Sequence, residues 1–121
     1  MPARLRPAAY PDLRDALAAR PRSHEQTRLL VKHFLAVLAE RSPGASVEVR
    51  VPPYAAVQAV VVVRHTRGTP PAVVELDAVN WIALASCDLA WVEAERTGLV
   101  RASGERADLS GLLPLASEEV S

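Results

Sequence analysis

The sequence predicts an α+β domain with a mainly antiparallel sheet of about four to five strands under a cover of helices. Three observations carry this reading. Residues 23–41 have a capping pattern and apolar side chains at helical spacing. Three β-type segments follow in quick succession, at 47–51, 54–63 and 72–76. The remainder alternates short helical stretches with one further strand. With 121 residues the chain suits one domain, and a chain of this size buries roughly two thirds of its unfolded surface without staples.

The elements follow in order. Residues 1–22 are read as an N-terminal arm. Pro2, Pro7 and Pro11 keep its start extended, and a short helix begins at Asp12 and ends before Pro21. Ser23 followed by Gln26 is a capping box. Leu30, Phe34, Val37 and Leu38 then recur on one helical face, and Pro43-Gly44 ends the helix. Val47–Val51 alternates strictly, with Glu48 and Arg50 turned to water. Tyr54–Val63 is almost wholly apolar and reads as a strand buried on both faces. Ala72–Leu76 is the third strand, and short connections favour an antiparallel meander. Asp77 stands where a helix containing Trp81, Ile82 and Leu84 would be capped. Asp88 stands likewise before a helix through Trp91 to Arg96, which Gly98 stops. Leu99–Ser103 is a fourth strand, Gly104 a turn, and Asp108–Leu113 a last short helix before Pro114. Residues 116–121 are read as a loose acidic tail.

Composition excludes several function classes. Fourteen basic residues, all arginine except Lys32, balance fourteen acidic ones, so no net field points to nucleic acid. The arginines of the first 22 residues are scattered among Pro and Ala, as in a solvated arm. Cys87 is the single cysteine, so no internal disulfide forms. No signal-peptide pattern opens the chain, and its apolar runs are too short to span a bilayer. A cytoplasmic protein without stable membrane insertion is the expectation.

No catalytic constellation emerges. His24, His33 and His65 are not spaced as metal ligands, and a zinc site needs three or four convergent ones. Cys87 lies beside Asp88, the wrong charge to favour a thiolate. There is no nucleophile elbow and no phosphate-binding glycine loop. The polar turn Arg64-His65-Thr66-Arg67 could hold an anionic head group, or could be a solvated hairpin turn. Tyr54, Trp81 and Trp91 suit either core or pocket lining.

Residues 75–115, ELDAVNWIALASCDLAWVEAERTGLVRASGERADLSGLLPL, carry a further signal. The order Asp, Trp, short helix, Ala-x-x-x-Gly, strand, Gly, polar residues and Leu-rich helix resembles the C-terminal half of the sterol-carrier-protein (SCP-like) family. The resemblance extends over about 24–115. It is nearest a stand-alone actinobacterial branch, in which segments like VRVPPYAAVQ and RHTRGTPP recur. It implies a curved, largely antiparallel sheet covered by helices on one face. A lipid tunnel would lie between the layers, closed by Leu109, Leu112 and Leu113.

Non-enzymatic binding of a lipid, sterol or acyl conjugate follows as the expected function, with no cofactor and no metal. The partner would be an apolar small molecule of the fatty-acid, sterol or acyl-CoA class, and not nucleic acid. Val60, Val62, Trp81, Leu84, Leu99, Leu109 and Leu112 are the expected lining, and Arg64, His65 and Arg67 the expected head-group contacts. The competing expectation is a closed-core accessory domain that meets a protein partner or a second copy of itself. SCP-like modules also accompany actinobacterial isomerases and transferases whose catalytic machinery lies in another domain.

Overall fold

Ser23 starts the helix that organises the molecule. Its hydroxyl accepts from the Gln26 N–H, and the Gln26 side chain accepts from the Ser23 N–H, which closes the capping box. The computed structural model describes residues 5–60, 72–103 and 109–115. The elements are α1 (Tyr10–Ala18), α2 (His24–Arg41), β1 (Val47–Val51), β2 (Ala55–Ala59), β3 (Ala72–Leu76), α3 (Ala78–Ala85), α4 (Trp91–Arg96) and β4 (Val100–Ser103). A single 3₁₀ turn, Ser110–Leu112, follows.

The structure is α+β, with helices packed against an open, mixed sheet of strand order β2-β1-β3-β4. β1 alternates as its sequence demands: Val47, Val49 and Val51 are buried, while Arg50 is exposed. Its neighbours match that register. Val49 stands opposite Val57 of β2 and Val74 of β3. The other face is polar: Arg50 pairs with Glu48, and Arg101 lies 3.9 Å from Glu75 on the adjacent strand. Such exposed pairs contribute little to stability. They keep that face wet, so one apolar side faces the helices.

Several expectations need correction. β3 does not continue a meander. It lies beside β1, parallel to it, and only β1–β2 and β3–β4 are antiparallel. β2 is an edge strand, not one buried on both faces, and Ala56 and Gln58 are exposed. Residues 61–63 of the expected strand lie outside the described residues. At its end Val60 adopts φ of +68°, a region β-branched residues avoid. Two backbone bonds hold it there: its N–H donates to Ser42 O at 2.6 Å, and its carbonyl accepts from Ser46 N at 3.0 Å. α1 begins at Tyr10, two residues earlier than expected, because Pro11 sits in the first turn, where its missing N–H costs nothing. Asp77 and Ala90 occupy the N-cap positions of α3 and α4, and neither makes a side-chain cap bond. Asp88 therefore does not cap α4. The last helix shrinks to one turn because Gly111 lies inside it.

Two arginines of the arm have a structural task. Arg22 donates to the carbonyls of Ala16 and Leu17, and Arg20 to those of Leu17 and Ala19, so both terminate α1. Leu13 and Ala16 bury α1 in the core. Tyr54 turns onto the start of α2, with its hydroxyl 3.2 Å from His24 Nδ1.

His33 anchors the arm from the α2 side. It is buried, stacks edge-on against Phe34, and its Nδ1 accepts the Ala8 N–H at 2.9 Å. Burial, and secondarily Arg41, hold its pKa below the ordinary 6.5, with Glu40 opposing weakly. Folding therefore favours the neutral ring, and the unfolded chain takes up the proton first as pH falls. We predict that stability is full above pH of about 7 and declines as pH drops through about 6.5. Urea melts of wild type and His33→Gln between pH 7.5 and 5 test this. The variant should show a shallower decline, and equal slopes would refute the role.

Candidate ligand site

The site is built where α3 stops. Ser86 N–H still bonds Ile82 O, but Asp88 and Leu89 N–H both turn back to Ala83 O, at 2.8 and 3.1 Å. That reversal requires a left-handed residue, and Cys87 supplies it with φ of +73°. The chain then leaves α3 sharply and presents Leu89, Ala90 and Trp91 across its end. The C-terminal segment arrives from the other side. Leu115 N–H donates to Ala85 O at 2.8 Å, satisfying a carbonyl the helix end leaves open. Leu109 and Leu115 are buried and hold this segment down.

Between these parts lies a pocket of about 330 Å³ lined by Leu84, Cys87, Leu89, Ala90, Trp91, Val92, Ser110, Leu113 and Pro114. Among the described residues its walls carry no charged side chain, and Ser110 contributes a hydroxyl. Trp91 is 5% exposed, and its indole Nε1 is buried without a hydrogen-bond acceptor among the described residues. Trp81 differs: it is wholly buried and donates to Val31 O of α2 at 3.3 Å.

Two other depressions are polar-rimmed. One of about 540 Å³ lies at the end of β3, between Pro52, Glu75, Asp77, Asn80, Leu99 and Arg101. Another of about 440 Å³ separates α1 from α2 and is lined by Asp12, Asp15, Glu25 and Gln26 among others. Among the described residues no three His, Cys, Asp or Glu side chains converge to hold a metal ion. No helix among them is long and apolar enough to cross a membrane.

The residues expected as lining are dispersed. Trp81 and Leu109 are fully buried in the core, and Leu84 forms the base of the apolar pocket. Leu112 is half-buried against the core. Leu99 is 40% exposed and lines the polar depression. Val60 packs on the core at the end of β2. Val62, Arg64, His65 and Arg67 lie outside the described residues. Of the expected residues that are described, the apolar pocket includes only Leu84. Leu89, Trp91, Leu113 and Pro114 join it. The sequence offers Trp91 for core or pocket lining and, through the family resemblance, Leu113 for closing a tunnel, whereas it marks Leu89 only as an apolar residue at a helix break.

An α+β domain with helices on a four-stranded sheet and an apolar pocket at the helix ends has the form of a small carrier-type module. The sequence model of the bacterial SCP ortholog family matches residues 23–115, about three quarters of the chain. The protein belongs to this SCP-like family, whose fold is generally a non-catalytic carrier. No curated protein matches the chain.

The turn at Cys87 yields a prediction. A non-glycine residue in the left-handed region costs roughly 1–2 kcal/mol, partly offset by the unfolded-state entropy of glycine. Cys87→Gly should therefore be more stable than Cys87→Ala by roughly 0.5–1 kcal/mol. Thermal or urea unfolding of the pair decides it, and an Ala variant as stable as the Gly variant would contradict the turn geometry.

Proposed function

We propose that this domain binds and carries a lipid or acyl conjugate, with its apolar part in the pocket between the α3–α4 corner and the C-terminal segment, and performs no chemistry on it. One observation carries the reading: among the described residues this pocket is lined mainly by apolar side chains, with Ser110 its one hydroxyl, and by no charged group. Membership of a family that is generally a carrier fold supports it. The pocket size is at the low end for small-molecule sites, which favours one acyl chain over a bulky ring system. Each buried CH₂ contributes about 0.8 kcal/mol, so ten contribute roughly 8 kcal/mol before the costs of association. Micromolar or weaker binding results, which suits pick-up and release.

The closed-core alternative draws on the rim. Val92 is 69% exposed beside the pocket, and Val79 on α3 is 73% exposed. A protein partner or second copy covering Val92 would compete with the ligand for the same opening.

Native mass spectrometry and titration with a fluorescent fatty-acid probe test the proposal. A single bound apolar molecule is expected, with affinity at least tenfold weaker in Leu89→Arg at unchanged fold. An empty protein that binds nothing across fatty acids, sterols and acyl esters would eliminate the carrier reading. Concentration-dependent dimerisation abolished by Val92→Asp would favour the alternative.

A further inference from the structure

The arm in front of Ser23 is held on α2 by a bond that a proton would break. Ala8 donates its N–H to His33 Nδ1 at 2.9 Å, so the neutral ring accepts there and carries its own proton on Nε2. His33 is buried, edge-on against Phe34. A proton added to Nδ1 would set two donors against each other and leave an imidazolium in a largely desolvated place. Beside this bond the seam is apolar, with Leu13 and Ala16 buried and Leu5, Ala8 and Leu17 packed on the core. Two observations say that the arm can leave as a unit. Residues 5–22 lie outside the region 23–115 that matches the family. Each side is also closed by its own residues: Arg20 and Arg22 terminate α1, while Ser23 and Gln26 cap α2.

We propose that His33 is the latch of an acid-released strap: its neutral ring holds residues 5–22 against α2, and protonation frees them while the domain from Ser23 onward stays folded. The surrounding charges set the balance. On α2, Arg41 opposes a charged ring and outweighs Glu40, which favours it. On the arm side, Arg6 stands two residues before Ala8, exposed and of the same sign as an imidazolium. Asp12 and Asp15 of α1 line the groove with Glu25, which lies eight residues and roughly 12 Å along α2 from His33. Burial weighs most against the charge, and it ends when the strap leaves. The freed ring then returns toward its ordinary value, so release grows as pH falls below about 6.5. Above that pH the ring is neutral in both states and the strap stays down. Release bares Leu5, Leu13, Ala16 and Leu17 together with the part of α2 under α1.

The test uses the full chain labelled with ¹⁵N, studied by NMR at pH 7.5 and 5.5. At pH 7.5 the His33 ring nitrogens should show the proton on Nε2. On going to pH 5.5, amide exchange at Ala8, taken relative to its intrinsic rate, should rise at least about fivefold, the equivalent of one net hydrogen bond. Leu35 and Leu38 of α2 should exchange as before. His33→Gln keeps an acceptor and cannot titrate, so its Ala8 amide should show no such rise. A proton on Nδ1 at pH 7.5, or wild-type Ala8 exchange indifferent to pH, overturns the latch. Equal losses of protection at Ala8, Leu35 and Leu38 overturn the strap, because the whole domain then opens. The wild-type comparison is decisive even if the variant folds poorly. A folded variant that follows the wild type assigns the release to another group and overturns the role of His33.

Discussion

The burial of Trp81 is the constraint on which the rest of the structure depends. Its ring is wholly enclosed, and its N–H reaches across to the Val31 carbonyl, tying α3 to the middle of α2. A side chain of this size, with Phe34, Leu30, Leu35 and Leu38 from α2, meets Val47, Val49 and Val51 of the central strand. The strands offer mostly valine and alanine, so the volume is supplied from the helical layer. Interiors packed this densely resist small changes in shape. An apolar guest in the layer around Trp81 would have to displace the leucines or the tryptophan. The helix ends are freer of that demand, because backbone bonds fix the chain there alongside the buried Leu109 and Leu115.

This explains where the pocket lies. Carbonyls at the end of α3 need partners, and the protein supplies two unlike ones. The chain's own reversal at Cys87 returns N–H groups to Ala83, and the C-terminal segment donates Leu115 N–H to Ala85. Both devices fix backbone and leave side chains to line a gap. The pocket is thus a consequence of how one helix is terminated, and its apolar character follows from the leucines on either side of the break. Among the described residues its walls bear no carboxylate, histidine or lysine, and Cys87 stands exposed at its edge.

Much of the fold was legible because it is local. The Ser23–Gln26 box, the stripe of α2, the alternation of β1 and the stop at Gly98, with φ of +77°, are written in residues a few positions apart. What was not legible depends on distant partners. The pattern of β3 shows that it is a strand and cannot show that its neighbour is β1. Ala and Val in β2 read as buried, because hydrophobicity does not record that an edge strand lacks a layer over its outer face. The turn at Cys87 was hidden because the left-handed position is signalled by glycine, and cysteine occupies it. The candidate site was the least legible part. Leu84, Trp91 and Leu113 come together only through the reversal after α3 and the return of the C-terminus, and no spacing in the chain encodes that meeting.

Apolar burial alone ranks ligands by chain length and little else, since each methylene contributes similarly. Affinity built in this way stays modest enough for release. A charged anchor would bind a matching head group more tightly, but it would need desolvation on every cycle of loading and unloading. The described lining at the end of α3 holds leucines, a tryptophan and a valine, with Ser110 the one hydroxyl among them, and so fits exchange better than tight retention.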